Sequence, residues 1–526
     1  MIELLSGRVD HAAAPLMLAA LKRSVSRTSV RRIAHPLLSR STARILAAIE
    51  PDEAQATALL DRMEKHPCKL MLFGRLPPIL HRRLGLRETH WPDNPGQWSR
   101  SPAAQPHASA QSAAVVHYTP QAAAFSASHW QRALERFDFA DEWNNLGYSA
   151  IRADASIWAL AAPIFAAPEN TLANVLLDGQ NIASYAAIFN RDNAAILWFN
   201  RPVGPIDSFE WRLVERFLSA WRHDTLPCQP VLQEIPQGYD AAVTMRLDCD
   251  EDVESARMLR AVYREMNVPF SLAVHTANLD DTRHHALLKE MAQAGEAILS
   301  HTATHAPNWG GNYETALFEA KSSAQRLKTI TGQPIRYAVS PFHQSPPYAL
   351  AALADAGYDG CIGGIIRNDP EFLLARGGVP AGLPDGFIGH SQQCMLHGDC
   401  MLAADDPIAI FKSAFERAKE TRTLFGYLDH PFSARYQYGW RDEAARIAAH
   451  RDFVAYIRRN APDTLFLSEN DALDFLRLKS ECEVLENEVE GLFTLRIPDS
   501  ENKLAPIVEY ADANITGKEF PATPTH

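Results

Sequence analysis

The sequence predicts an α/β chain of two units, a layered α/β domain followed by a distorted parallel (β/α) barrel. Three observations point there. The chain's 526 residues exceed what one hydrophobic core organises. Strand-like and helix-like patterns alternate along most of it, as layered α/β architectures require. The stretch "RHDTLPCQPVLQEIPQGYD" (222–240), with prolines at 227, 230 and 236, interrupts that alternation, which restarts more regularly beyond it. The expected division is 1–228 for the first unit, 229–239 for a linker, 240–478 for the barrel and 479–526 for a tail of short strands.

In the first unit, "ARILAAIEPDEAQATALLDRMEKH" (43–66) has helical periodicity and "KLMLFG" (69–74) reads as a buried strand. Residues 101–128, rich in Ala, Ser, Pro and Gln, read as a low-complexity loop. "SIWALAAPI", "ANVLLDG" and "AAILWFN" are strand-like, and "SFEWRLVERFLSAW" (208–221) is an amphipathic helix. This is a Rossmann-like order. It resembles the glutamine-amidotransferase fold but contains no G-x-C-x-G nucleophile elbow, so a non-catalytic domain is expected. In the second unit the strands "AAVTMRL", "VPFSLAV", "EAILS", "RYAVS" and "GCIGG" alternate with helices such as "DTRHHALLKEMAQAG" and "YETALFEAKSSAQRLKTITG". Repeated β–α units of that length make a parallel barrel, complete or distorted.

Bulk properties narrow the function classes. A formal net charge of −12 argues against a general nucleic-acid or anionic-membrane binder. Seven scattered cysteines form no disulfide framework, and Cys394 and Cys400 lack the companions of a zinc site. The N-terminus places acids before its apolar patch and bases after it, the reverse of a secretory signal. A cytoplasmic protein with reduced thiols is the expectation, without an integral membrane segment.

Barrel chemistry collects at the C-terminal ends of strands. Asp248 and Asp250 end the first strand in "MRLDCDED", and His301 and His305 follow "EAILS" in "LSHTATHAPNWGG". "SPFH" follows "RYAV", and Asp429 and His430 follow "TLFGY". An H-x-x-x-H pair alone is weak, since a chain with 20 histidines contains about one by accident. Here Pro307 and the Gly310–Gly311 pair leave no room for a long helix, which puts both rings on a turn at a strand end. Two imidazoles and a carboxylate make an open site for a divalent ion, and a further carboxylate and histidine can serve as base and acid. Each group has a plainer reading: the aspartates as helix caps, His430 as a loop residue, His390 and His397 as packing.

The ordered set D-x-D, H-T-x-x-H, P-F and L-x-H resembles the polysaccharide deacetylase (NodB-homology) family of carbohydrate esterases, over roughly residues 240 to 470. The resemblance implies a metal held by Asp250, His301 and His305, zinc first and cobalt, nickel or manganese as alternatives. It implies Asp248 as general base, His430 as general acid, and Leu428 lining an acetyl-methyl pocket. Pro341, Phe342 and Trp309 are expected at the substrate, with Tyr436 and Trp440 as further candidates for stacking on sugar rings. Two departures stand out. Cys249 occupies the place beside the first aspartate, so the ligand is carried over to Asp250 rather than to a softer thiolate. The third motif lacks its arginine, with Val339 and Ser340 there, so Arg246 or Arg376 must take its place or the base is held differently. The implied activity is removal of an N-acetyl group from an N-acetylated sugar of a polysaccharide or glycan precursor. The alternatives are hydrolysis of a non-sugar amide on the same fold, or a catalytically inactive sugar-binding protein.

Overall fold

The structure, a computed structural model, describes residues 1–98, 114–133, 156–363, 376–402, 405–433, 437–487, 491–516 and 519–521. Its first half is built on one nine-stranded sheet. The elements in chain order are β1 (Ile2–Ser6), α1 (Ala13–Ser24), β2 (Val30–Arg32), β3 (Ile45–Ile49), α2 (Glu53–Lys65), β4 (Cys68–Phe73), β5 (Val115–Tyr118), β6 (Gln131–Ala133), β7 (Thr171–Leu177), β8 (Gln180–Arg191), β9 (Ala194–Phe199) and α3 (Ser208–Ser219). The sheet order is β2-β1-β3-β4-β9-β8-β7-β5-β6, with the first five strands parallel.

The helix expected over 43–66 is instead strand β3 followed by α2. Ile45 to Ile49 are all buried between layers, and burial on both faces erases the alternation that marks a strand. Pro51 ends the strand, and Asp52 caps α2 in a reciprocal capping box with Gln55. Of the expected loop at 101–128, residues 101–113 lie outside the described residues, whereas 115–118 pair with β7. "SIWALAAPI" forms no regular strand before Ile164.

The second half restarts with β10 (Ala241–Cys249), α4 (Arg257–Glu265), β11 (Ser271–Val274), α5 (His285–Gln293), β12 (Ala297–Ser300), α6 (Tyr313–Thr331), β13 (Tyr337–Val339), α7 (Pro347–Asp355) and β14 (Gly360–Gly363). It continues with β15 (Ile388–Ser391), β16 (Cys394–Met395), α8 (Ala409–Thr421), β17 (Phe425–Asp429), α9 (Glu443–Asn460), β18 (Thr464–Leu467) and α10 (Glu469–Glu481). These strands form one parallel sheet in the order β15-β14-β13-β12-β11-β10-β17-β16, with β18 also pairing β10. The two ends of that order are separated in the chain only by Gln392 and Gln393, so the sheet curls into the distorted half-barrel that the sequence predicts. No helix among the described residues is long and apolar enough to cross a membrane.

The halves share more than a linker. Helix α3 gives Trp211, Leu213 and Phe217 to the first core and Phe209 to the second. From its buried face Glu215 accepts a two-pronged bond from Arg376, at 2.9 and 2.6 Å. Arg212 reaches Glu509 of the tail at 2.5 Å, and Lys479 donates to the Arg23 carbonyl at 2.7 Å.

Candidate metal centre and catalytic residues

Strand alternation decides which side chains of β10 face the barrel interior, since residues two apart share a face. Arg246 and Asp248 are such a pair. The guanidinium grips the carboxylate with two bonds, Nε to Oδ1 at 2.6 Å and Nη2 to Oδ2 at 3.0 Å. Of the two arginines proposed from sequence to replace the missing one, Arg246 therefore holds Asp248, while Arg376 is spent on Glu215. Arg246 is fixed in turn by Gln392 and stands 3.9 Å from Glu469. Burial alone would raise the Asp248 carboxyl, but the Arg246 charge and then His301 pull it down to about 2. The carboxylate is thus held ionised.

Cys249, between the two aspartates, packs into the apolar layer that contains Val253 and Leu272, and burial pushes its thiol far up. It faces away from the ligand cluster. Asp250 follows the strand end and gathers with His301 and His305, one donor atom of each lying within 4.8 Å of the others. His301 Nε2 stands 3.5 Å and His305 Nε2 3.4 Å from Asp250 Oδ1, with 3.0 Å between the two nitrogens. Donors bonded at about 2.0–2.1 Å to one tetrahedral or octahedral ion sit about 3.0–3.4 Å apart, so these spacings fit a single divalent cation.

Three further features agree. Asp250 Oδ1 is buried and accepts no hydrogen bond. His301 Nδ1 lies 3.1 Å from the Val339 carbonyl; donating there leaves Nε2 with its lone pair toward the cluster. Burial would raise the Asp250 carboxyl, yet the His301 ring beside it, then His430 and His305, hold it well below the usual carboxylate range. His305 has positive φ (56°), and its backbone N–H is tied to Thr302 Oγ1 at 2.8 Å, so Thr302 braces the turn.

His430 approaches from β17. Its Nε2 is 3.5 Å from Asp250 Oδ2, which also accepts from Tyr438 at 3.0 Å, and the Tyr438 ring stacks on His430 at 4.1 Å. His430 Nδ1 meets His397 Nε2 at 2.7 Å. Behind it Asp429 is held by Arg446 at 2.7 Å and His450 at 2.9 Å. Burial pushes the His397 ring down to about 3, so it is neutral and suited to orient its neighbour. His397, read from sequence as packing, instead meets the His430 ring. Tyr438 and Gln392 carried no sequence signal at all. His390, by contrast, bonds the Leu424 carbonyl, at 3.3 Å, away from the cluster's own contacts among the described residues.

The remaining expectations divide. Leu428 is fully buried, paired in register with Arg246. Pro341 and Phe342 form a tight turn after β13, and the Phe342 ring lies 4.4 Å from His305. Trp309 corrects the sequence reading: at 0% exposure it is packed among Ala316, Ala320 and Leu350, where no sugar can reach it. Its indole N–H donates to the Gln344 carbonyl at 2.9 Å, so it braces the turn carrying Phe342. Trp440 is likewise buried, donating to Asp429 at 3.3 Å, and Tyr436 lies outside the described residues.

The fold and site define a class: a parallel half-barrel with an aspartate–histidine centre at its strand ends. Residues 248–361, within this half of the chain, match the family model for polysaccharide deacetylase. A search of the curated proteins finds no match to this chain. Among solved structures, a Mycobacterium smegmatis protein described as a polysaccharide deacetylase is similar at 15% identity, covering 46% of this chain and 92% of its own, with a TM-score of 0.37. Puue allantoinase is similar at 12% identity over 46% and 92%, with a TM-score of 0.36. A family 4 acetyl xylan esterase from Clostridium thermocellum, solved with cobalt, is similar at 10% identity over 44% and 90%, with a TM-score of 0.28. Likenesses this distant carry no argument about substrate.

Proposed function

We propose that the protein is a divalent-metal-dependent hydrolase that removes the N-acetyl group from an N-acetylated sugar of a polysaccharide or glycan precursor. The observation that carries the reading is the ionised, Arg246-gripped Asp248 on the same strand end as Asp250, with His430 arriving from another strand. Asp250, His301 and His305 would hold the ion, with zinc the first candidate and cobalt, nickel or manganese next. A bound ion supplies Lewis acidity toward the amide carbonyl and the attacking water. Asp248 takes the proton released by that water, because its carboxylate is fixed and unprotonated at neutral pH. His430, kept in orientation by His397 and Tyr438, gives a proton to the departing nitrogen. Phe342, beside His305, supplies apolar surface for the acetyl methyl, whereas Leu428, expected there from the sequence, is fully buried and does not reach it. Hydrolysis of an amide bearing a carboxylate is less well served, since Arg246 in the cleft is already committed to Asp248 and Gln392.

Metal analysis, combined with acetate release from a panel of N-acetylated sugars, tests the proposal. The wild-type protein should hold one ion per chain and release acetate, and His301→Ala should lose both. Asp248→Asn and His430→Ala should keep the ion while kcat falls by about 10²–10⁴-fold, the usual weight of a general base or acid. Stoichiometric metal in His301→Ala would dismiss the ligand set.

A further inference from the structure

Two histidines near the centre have no part in the scheme above: His275, whose Nε2 lies 2.7 Å from the Asp250 carbonyl, and His343, for which no such partner is seen among the described residues. It ends the turn Pro341–His343, where Phe342 and His343 both adopt left-handed backbone, with φ of 52° and 55°. Such conformations are strained for residues with a Cβ and persist where surroundings over-determine them. The surroundings do so here. Gln344 accepts from the Asn308 N–H at 2.6 Å through its side chain and from the Trp309 indole through its carbonyl. Ser340 and Ser345 bond across the base of the turn, and Ser340 N–H is tied to the Ile362 carbonyl at 3.1 Å. The turn is therefore rigid, and it presents a ring at a fixed place.

That ring is only 7% exposed. Its Nδ1 is buried with no hydrogen-bond partner, and among the described residues no hydrogen bond or ion pair engages either nitrogen. A buried polar atom left unpaired is destabilising, because it has given up water without gaining a partner. The ring belongs to the turn whose Phe342 lies 4.4 Å from His305, and the charged groups that act on it are Asp248, Arg246, His430 and His301. Arg246, the one arginine among those groups, is already engaged with Asp248, and among the described residues no carboxylate pairs with the imidazole. What the ring can offer is one donor and one acceptor, the complement of a hydroxyl group. It is not the complement of a carboxylate or phosphate.

We propose that His343 is a specificity-determining residue that hydrogen-bonds an uncharged hydroxyl of the substrate next to the scissile amide, so that the enzyme selects polyhydroxylated leaving groups. This rests on the deacetylase reading and deepens it by naming what the leaving group must carry. Two probes separate the claims: an N-acetylglucosamine oligomer, which offers hydroxyls, and 4-nitrophenyl acetate, which offers an acetyl group and none. His343→Phe fills the same space without either nitrogen, and His343→Gln restores a donor and an acceptor.

On the metal-loaded enzyme, His343→Phe should lower kcat/KM for the oligomer at least tenfold, largely through KM. It should leave 4-nitrophenyl acetate hydrolysis and metal content within about twofold of wild type, and His343→Gln should recover part of the loss. Equal oligomer turnover by wild type and His343→Phe overturns the inference alone. An equal loss on both probes also overturns it, because the ring would then be acting in the acyl chemistry and not on the leaving group. Failure of the wild-type enzyme to turn over the oligomer at all, with the aryl ester cleaved, overturns the sugar reading and this inference together.

Discussion

At the scale of single residues, the donor set was legible because ligand types recur at fixed strand ends, whereas the partner of the base was legible only as a choice of two arginines. The sequence places Arg246 two residues before Asp248, but only the structure shows that the two pair on one face of the strand and that Arg376 is engaged by Glu215. Cys249 shows the same logic from the other side, since the pleat that turns Arg246 and Asp248 inward turns the residue between them outward. Cys249→Ala should therefore keep full metal occupancy by elemental analysis. Loss of the ion would mean that the thiol is a ligand.

Glu469 offers a second test. Burial raises its carboxyl to about 7, with Arg246 opposing. An acid whose folded pKa exceeds its ordinary value near 4.5 binds its proton more tightly when folded. Its contribution to stability is therefore complete below about 4.5 and is lost as pH rises through about 7. Glu469→Gln should remove a decline on the order of 3 kcal/mol between pH 5 and pH 8 and make the variant the more stable protein at pH 8. Denaturant titrations at the two pH values read this directly, and an unchanged slope would assign the decline elsewhere.

At the scale of elements, β10 to β14 and β17 of the second half were read from sequence because their β–α units are short, regularly spaced and punctuated by glycine and proline, whereas β15, β16 and β18 were not. The errors fell in the first half, where β3 is apolar on both faces and so looked helical. Helix α3 was foreseen as amphipathic, but its role as a wall shared by two cores was not. Its first turn explains how it stays in place. Asp207 accepts from the Phe209 and Glu210 N–H groups at 3.0 and 3.2 Å and also pairs with the buried Arg132. Losing a cap alone costs about 1 kcal/mol. Removing one partner of a buried ion pair costs about 3–5 kcal/mol, because the other charge is stranded. Asp207→Ala should show the larger figure in equilibrium unfolding, and a loss near 1 kcal/mol would mean that Arg132 finds water or another acceptor.

At the scale of the whole molecule, composition and punctuation suggested two halves joined by a linker, and the sequence has no means of displaying the buried contacts between them. Arg376 and Glu215, Arg212 and Glu509, and the Phe209 socket all cross that boundary. A chain beginning at residue 235 would leave Arg376 without its carboxylate and Phe209's neighbours open to water. It should be markedly less stable than the full chain, or aggregate, by thermal melting and size-exclusion chromatography. A monodisperse fragment with the full chain's melting temperature would show that the boundary is only a contact surface.

The grip of Arg246 on Asp248 has one more consequence. When the arginine that steadies a base is lent by a distant loop, that loop is constrained to serve the reaction, and changing it endangers turnover. Here the arm and the base are carried by one strand, so the orientation of the base is inherited from the pleat. Within the turn after β13, position 343 is released from that duty and can diversify while Phe342 stays against His305 and the bracing residues stay in place. For protein engineers that one position is where new appetites could be grafted onto an unchanged reactive heart.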